Sequence, residues 1–272
     1  MIARFGHGAA PADTAGLGGK GAALCRLAVA GLPVPPGFCL TASTAAAVAA
    51  GYPDALAAIR AEWDILDDRP VAVRSSAADE DTADTSFAGV HESYLHRTTF
   101  ESVREGVAAV VASGRSERAH AYRARLGISG EVAMGVVVQT MVPARAAGVA
   151  FTRNPVTDSA DVIVEAVFGL GEAPVDGEVT PDHWAVGRDG TVRTHRAGDR
   201  DLAVVPAADG VRRIDVAHQD SPLDDAELAA VVQLALDCEA IFGCPQDVEW
   251  AIGPAGLALL QSRAITRTRP QS

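Results

Sequence analysis

Lysine is almost missing from this 272-residue chain: of its 23 basic residues, 22 are arginine and one is Lys20. The 35 acidic residues outnumber the basic ones, which leaves a formal net charge of −12. So acidic a chain argues against a nucleic acid or an anionic membrane as its partner. The one lysine lies in the sequence Gly18-Gly19-Lys20-Gly21. We infer that this position needs a compact ammonium group, which the guanidinium of arginine cannot replace. The alternative is that the lysine is there by chance.

Long apolar runs and paired cysteines are missing as well. The chain has no apolar stretch of about 18 residues and no hydrophobic N-terminal segment, so neither a transmembrane helix nor a signal peptide is predicted. The four cysteines form no Cys-x-x-Cys pair, which argues against a disulfide scaffold or a cysteine metal site. With 48% hydrophobic and 21% charged residues, the composition is that of a globular protein. We expect a cytoplasmic protein with free, mostly buried thiols.

The sequence predicts a chain of both helices and strands. A glycine-rich turn at 16–21 leads into a helix that ends near Gly31, and an acidic loop is predicted at 77–89. Further helices are predicted at 42–50, 54–66, 101–125 and 224–242. Strands are predicted at 71–76, 134–142, 148–151, 161–165, 184–187, 191–195, 247–252 and 257–263. The two strands on either side of Asp189-Gly190 are expected to form a hairpin.

The glycine-rich turn matches the letters of a dinucleotide-binding fingerprint, but no predicted strand precedes it, so that interpretation is rejected. A Walker A loop is rejected too, because Gly21 follows the lysine where Ser or Thr belongs. What remains is a lysine at a helix N-terminus. Backbone N–H groups and the helix dipole favour a phosphate there, although this signal is weak by itself.

The last two predicted strands place polar side chains on one face. With 254–256 as a three-residue loop, Glu249 falls opposite Gln261, and Arg263 follows on the same face. A carboxylate and an amide oxygen suit Mg²⁺, and a guanidinium suits a phosphate. The alternative is an ordinary exposed hairpin, and a slip of one residue would separate the pair.

Arg74 interrupts a strand of small residues, and a half-buried guanidinium needs an anionic partner. That partner is either a nearby acid, with Asp79, Glu80 and Asp81 as candidates, or the phosphate of a ligand. None of the seven histidines has a partner at metal-ligand spacing, so each is expected to be a surface or core residue rather than a catalyst.

Taken in order, these segments resemble the ATP-binding domain of the phosphoenolpyruvate synthase, pyruvate phosphate dikinase and rifampicin phosphotransferase family. The resemblance covers nearly the whole chain. The stretches that carry it are GGKGAAL (18–24), LPVPPGF (32–38), VAVRSSA (71–77), SFAG and HESYL (86–95), GVAFTRNPVT (148–157), GLGE (169–172), QDVEWA (246–251) and LQSRAIT (260–266).

The resemblance implies an α+β fold of the ATP-grasp type with two lobes, residues 1–140 and 141–272, and with ATP in the cleft between them. Glu249 and Gln261 would hold Mg²⁺, while Lys20, Arg74 and Arg263 would act as catalytic residues that neutralise charge on the transferred group. Ser93 keeps the hydroxyl of the threonine that relatives often carry. The residues that would contact ATP are Lys20, Arg74, Gly89, Ser93, Gln139, Glu249, Gln261 and Arg263.

The implied activity is that of an ATP-dependent phosphotransferase of the dikinase type, in which Mg-ATP is cleaved to AMP and a histidine on a swivelling domain receives the pyrophosphoryl group. No histidine here has the sequence context of that domain, Thr194-His195 being the nearest. We therefore expect a separate phosphohistidine domain or protein and an unknown small-molecule acceptor. The alternatives are a direct small-molecule kinase or ligase that releases ADP, and an ATP-binding subunit without catalysis. The segment between 41 and 71 is also shorter than the resemblance predicts.

Overall fold

The computed structural model describes residues 1–6, 14–77, 93–116, 134–171, 179–207, 210–216 and 220–265. The chain forms two compact units, Met1–Val29 with Pro35–Met141, and Ala30–Val34 with Val142–Ser272. The sequence predicted one boundary, between 140 and 141. The short segment Ala30–Val34 belongs to the second unit because the Leu259 N–H donates a 2.9 Å hydrogen bond to the Pro33 carbonyl.

The first unit contains an antiparallel five-stranded sheet in the order β1-β2-β5-β3-β4. The strands are β1 (Ile2–Phe5), β2 (Gly37–Leu40), β3 (Val71–Ala77), β4 (Ser93–Arg97) and β5 (Met134–Thr140). The helices are α1 (Gly18–Val29), α2 (Ala42–Ala49), α3 (Pro53–Ile65) and α4 (Phe100–Ser113). Together they supply most of the buried apolar residues of this unit.

The helices of the first unit cover both faces of its sheet. Helices α2, α3 and α4 share one core cluster with Phe38 and Leu40 of β2. Cys39 lies between those two residues and therefore points to the opposite face. A side chain added at Gly21 of α1 would lie 3.0 Å from the Cys39 sulfur, so α1 packs on that opposite face.

The second unit contains an antiparallel six-stranded sheet in the order β13-β12-β6-β7-β8-β9, and a two-stranded sheet of β10 and β11. The strands are β6 (Ala146–Phe151), β7 (Val162–Phe168), β8 (Asp182–Val186), β9 (Val192–Arg196), β10 (Leu202–Ala207), β11 (Gly210–Asp215), β12 (Gln246–Gly253) and β13 (Gly256–Ala264). Helix α5 (Asp225–Phe242) packs on the larger sheet; Asp224 caps its N-terminus, and Gly243 ends it with φ of +73°.

The α+β class predicted from the sequence is confirmed by this mixture of helices and antiparallel strands. Strands β1, β2, β4, β10 and β11 were not predicted; β11 is largely exposed, so its sequence lacks the alternation that marks a half-buried strand. The acidic loop was predicted at 77–89; Ala77 is the last residue of β3, and the rest of the loop and the end of the predicted helix 101–125 lie outside the described residues. None of the helices in the described part of the chain is both long and apolar enough to cross a bilayer.

Candidate functional site

Lys20 is the third residue of α1 and is half-buried. The first turn of a helix carries a partial positive charge and N–H groups without intrahelical partners. The first turn of α1 contains no acidic residue, so no side chain within that turn cancels the charge. The start of α1 is therefore suited to an anion such as a phosphate.

The glycines before Lys20 allow α1 to begin directly against the sheet. Gly18 has φ of +76°, and a Cβ added there would lie 1.9 Å from the Ser76 carbonyl oxygen of β3. A Cβ added at Gly135 of β5 would lie 2.7 Å from the Leu17 carbonyl oxygen. Four of the six residues of the predicted glycine turn, 16–21, thus belong to the helix, and Gly18 allows close packing of backbone on backbone.

Arg74 of β3 is the register partner of Ser93 on β4 and of Val137 on β5. Register partners in an antiparallel pair point to the same face, so the guanidinium and the Ser93 hydroxyl lie on one side of the sheet. Arg74 is half-buried and Ser93 is exposed. The acids proposed as alternative partners of Arg74, at 79–81, lie outside the described residues, as does Gly89.

Gln139 of β5 is 3% exposed and pairs with Ala72 of β3, two residues before Arg74. Its Nε2 atom is buried and has no hydrogen-bond partner in the described part of the chain. A buried amide donor without a partner is costly, and a ligand acceptor would remove that cost. Arg74, Ser93 and Gln139 all lie on the face of the sheet that α1 covers.

The turn between β12 and β13 differs from the sequence prediction. Gly253 pairs with Gly256, so Pro254 and Ala255 form a two-residue connection rather than a three-residue loop. Gly256 has φ of +98°, a conformation that suits glycine. Taken alone, this shorter turn would shift the register of every following pair by one residue.

A β-bulge beside Glu249 reverses that shift. Trp250 pairs with Leu259, and Glu249 pairs with Gln261, so Leu260 is the additional residue on β13. The predicted pairing of Glu249 with Gln261 is therefore present, although the loop from which it was inferred is wrong. Both side chains point to the same face of the sheet.

Asp247 lies two pairs further along, on the same face, and was not predicted from the sequence. It pairs with Arg263, whose Nε donates to its Oδ2 at 2.8 Å. Burial raises the pKa of Asp247 above its usual value; Arg263 opposes that rise and Glu249 adds to it. Alternation was the available signal, since Asp247 is two residues before Glu249 and must share its face.

Two buried oxygens in this strand pair have no hydrogen-bond partner among the described residues: Gln261 Oε1 and Asp247 Oδ1. Unpaired carboxylate and amide oxygens beside the half-buried Glu249 fit the oxygen ligands of Mg²⁺. Within the described ranges, no group of three or more His, Cys, Asp or Glu side chains is placed to hold a metal by itself. Mg²⁺ commonly takes one or two carboxylates and completes its ligands with substrate phosphates, so the set fits an ion that arrives with a nucleotide.

The predicted site residues thus fall into two groups. Lys20, Arg74, Ser93 and Gln139 belong to the first unit. The strand pair with Glu249, Gln261 and Arg263 belongs to the second.

His195, the histidine closest in context to a phosphohistidine, takes part in a polar cluster around Asp182. Its Nε2 lies 2.8 Å from Asp182 Oδ2, and its ring stacks on Trp184 with centroids 4.6 Å apart. Burial alone would raise the pKa of Asp182, but hydrogen bonds from Arg200, His195 and the Gly198 N–H outweigh it and lower the pKa. These contacts serve the packing of the sheet edge.

The comparisons with known proteins agree with the motifs. The sequence pattern of the family described as pyruvate phosphate dikinase, AMP/ATP-binding domain, matches residues 47–272. A rifampicin phosphotransferase from Streptomyces sp. is 44% identical over an alignment of 206 positions, which covers 73% of this chain and 24% of that protein. A phosphoenolpyruvate synthase from Aeropyrum pernix is 32% identical over a gapped alignment of 331 positions, which covers 92% of this chain and 40% of that protein.

A solved structure, that of the D-cycloserine synthetase DcsG, aligns with 93% of this chain and 63% of its own chain, with a TM-score of 0.44 and 16% identity. The chain spans 24% and 40% of the lengths of the two relatives. The family pattern, in contrast, covers all residues from 47 onward. The chain therefore belongs to the family of pyruvate phosphate dikinase AMP/ATP-binding domains.

Proposed function

We propose that this chain is the ATP-binding component of a dikinase-like phosphotransferase. It would cleave Mg-ATP to AMP and pass the pyrophosphoryl group to a histidine on a separate domain or protein. The observation that carries the proposal is the β12–β13 strand pair, in which Glu249 faces Gln261 and two buried oxygens have no partner in the described part of the chain. Family membership and the Lys20 helix start support it.

The groups of the first unit would bind the nucleotide. The ammonium of Lys20, in the first turn of α1, and the guanidinium of Arg74, on the face of the sheet that α1 covers, would contact the phosphates. The Ser93 hydroxyl lies beside Arg74 and would donate to a phosphate oxygen. The Gln139 Nε2 would donate to the adenine, which would satisfy a buried group that is otherwise unpaired.

The groups of the second unit would hold the metal and the reacting phosphate. Glu249 and Gln261 would bind Mg²⁺, which would neutralise charge on the phosphates when bound. Arg263 is oriented by its hydrogen bond to Asp247 and would contact the transferred group. A cleft between the lobes 1–140 and 141–272 as the place of ATP stays a prediction.

The chemistry needs no nucleophile from these residues. A histidine nitrogen of the partner attacks the β-phosphorus, the bond from that phosphorus to the oxygen bridging the α-phosphorus breaks, and AMP leaves with that oxygen. The transfer depends on positioning and on charge stabilisation, which Lys20, Arg74 and Arg263 supply.

The test is the nucleotide product of Mg-ATP, followed by phosphorus NMR with the chain alone and with a candidate histidine-domain protein. We expect AMP only when the partner is present, and none when its histidine is replaced by alanine. ADP formed with a small molecule would overturn the proposal in favour of a direct kinase or ligase. Bound ATP without turnover in any mixture would favour a non-catalytic subunit.

A further inference from the structure

Ser76 is a fully buried residue of β3 whose hydroxyl connects the strand to the start of α1. Its Oγ donates to the Leu17 carbonyl at 2.7 Å and accepts from the Gly21 N–H at 3.0 Å. Leu17 and Gly21 are four residues apart, the spacing of one helical hydrogen bond. A single hydroxyl from another element therefore contacts both ends of the first turn of α1.

The contact leaves this turn little room to move. A Cβ added at Gly18 would lie 2.5 Å from the Ser76 Oγ, and one added at Gly135 of β5 would lie 2.7 Å from the Leu17 carbonyl oxygen. The first turn thus lies against the backbone of β3 and β5, with the Ser76 hydroxyl as a directional polar link. Close packing of this kind resists sliding of the helix along the strand.

Lys20 lies inside the turn that Ser76 holds, between Leu17 and Gly21. Arg74 is two residues before Ser76 on β3, so the two side chains share one face of the strand. The same strand therefore carries one proposed phosphate contact and fixes the backbone of the other.

We propose that Ser76 is a positioning residue that sets the place of the Lys20 ammonium relative to the triphosphate of ATP. This inference rests on the proposed function, since it takes Lys20 as a phosphate contact. Ser76 itself does not touch the nucleotide, because it is fully buried and its hydroxyl is engaged with α1 on both sides. A small displacement of a catalytic group has a large effect when catalysis depends on geometry.

Ser75 is a matched control on the same strand. It is also buried, it points to the opposite face, and its Oγ has no hydrogen-bond partner among the described residues. Ser75→Ala removes an unsatisfied group, whereas Ser76→Ala leaves the Leu17 carbonyl and the Gly21 N–H without the hydroxyl. The two substitutions delete the same atom from neighbouring positions.

The experiment measures the binding of ATP and of adenosine to the full chain, by displacement of a fluorescent ATP analogue. We expect Ser76→Ala to weaken ATP binding about tenfold and adenosine binding less than twofold, because only the phosphates meet Lys20. Ser75→Ala should change neither. Added to Lys20→Met, Ser76→Ala should cause no further loss, since the two residues act through one contact.

The outcomes separate this inference from the proposed function. Unchanged ATP affinity in Lys20→Met would contradict the phosphate site itself. If Lys20→Met weakens ATP binding and Ser76→Ala does not, only the role of Ser76 is overturned. The same holds if Ser76→Ala weakens the binding of ATP and of adenosine equally. If Ser76→Ala does not fold, Ser76→Cys, which keeps the shape of the side chain but is a weaker hydrogen-bonding group, should lose part of the ATP affinity; an unchanged ATP affinity would overturn the inference.

Discussion

Gln261 and Gln246 are two buried glutamines of one strand pair with opposite hydrogen-bonding states. Gln246 is satisfied: its Oε1 accepts from Ser262 at 2.8 Å and its Nε2 donates to the Cys244 carbonyl at 3.1 Å. Gln261 has a buried Oε1 without a partner in the described residues. A residue that costs stability in this way is better explained by a ligand than by packing.

Gln261→Leu should therefore separate stability from function. We expect its free energy of unfolding to be unchanged or raised by up to about 1 kcal/mol, because an unsatisfied polar atom is removed. We also expect ATP binding to lose its dependence on Mg²⁺. Urea unfolding and nucleotide titration with and without EDTA measure the two effects.

Gln246→Leu is the matched control. It should lower the free energy of unfolding by about 1–3 kcal/mol, because Ser262 loses its buried acceptor. Its ATP affinity should keep the Mg²⁺ dependence. The reverse pattern in the two variants would contradict the assignment of Gln261 as a metal ligand.

The carboxyl group of Asp182 should stabilise the chain in a pH-dependent way. Its hydrogen bonds make the pKa of Asp182 lower in the folded chain than in the unfolded chain. The carboxylate therefore contributes its full stabilisation above the pKa of the unfolded chain, about 4. This stabilisation is lost as the pH falls through the pKa of the folded chain. Asp182→Ala should cost about 3–5 kcal/mol near pH 7, since it leaves Arg200 without its buried partner. The difference from the native chain should shrink below about pH 4.

Urea unfolding at pH 7 and at pH 3 measures this. As a control, Asp64→Ala removes an exposed pair with Arg60 and should cost less than about 0.5 kcal/mol at either pH. A loss for Asp182→Ala that stays constant down to pH 2.5 would contradict the role of the ionised carboxylate.

Helix α1 begins at a glycine that lies directly against the backbone of β3. Gly18 and Gly31 both have positive φ, +76° and +82°, but only Gly18 faces another backbone. No described atom lies within 4 Å of a Cβ added at Gly31. Alanine substitutions at Gly31 and Gly18 therefore distinguish the cost of backbone strain alone from the cost of strain together with a steric clash.

Gly31→Ala should cost about 1 kcal/mol, the strain of a left-handed alanine. Gly18→Ala should cost at least twice as much and should also weaken ATP binding, because the new methyl group displaces the turn that carries Lys20. Urea unfolding and ATP titration of both variants measure the effects. Equal losses of stability, with ATP affinity unchanged, would show that the start of α1 does not need this close approach.

For the whole molecule, the two groups of site residues should act on one ligand. Mg-ATP at about 100 times its dissociation constant should stabilise the folded chain by about 2.7 kcal/mol, and AMP should do so less. Lys20→Ala in the first unit and Glu249→Ala in the second should each remove most of the shift in unfolding midpoint, with the fold intact. Thermal unfolding with and without nucleotide measures the shift in midpoint. If only one of the two variants loses the shift, one unit binds ATP alone.

The sequence alone was sufficient for the family, the α+β class and most elements near the site. The motifs that carry the family are contiguous stretches, and helices such as α5 are marked by caps and local periodicity, so both can be read without knowing what packs against them. The candidate residues Lys20, Arg74 and Glu249 stand out for the same reason, because each is an unusual residue type in its local context.

The tertiary structure decided how those residues are paired. The bulge at Glu249 keeps it opposite Gln261 despite the shorter turn, and Asp247 emerged as the partner of Arg263. The contact of Ser76 with the start of α1 joins residues 59 positions apart. Bulges, strand registers and contacts between distant segments depend on the packing of the whole unit, which no local pattern of side chains contains.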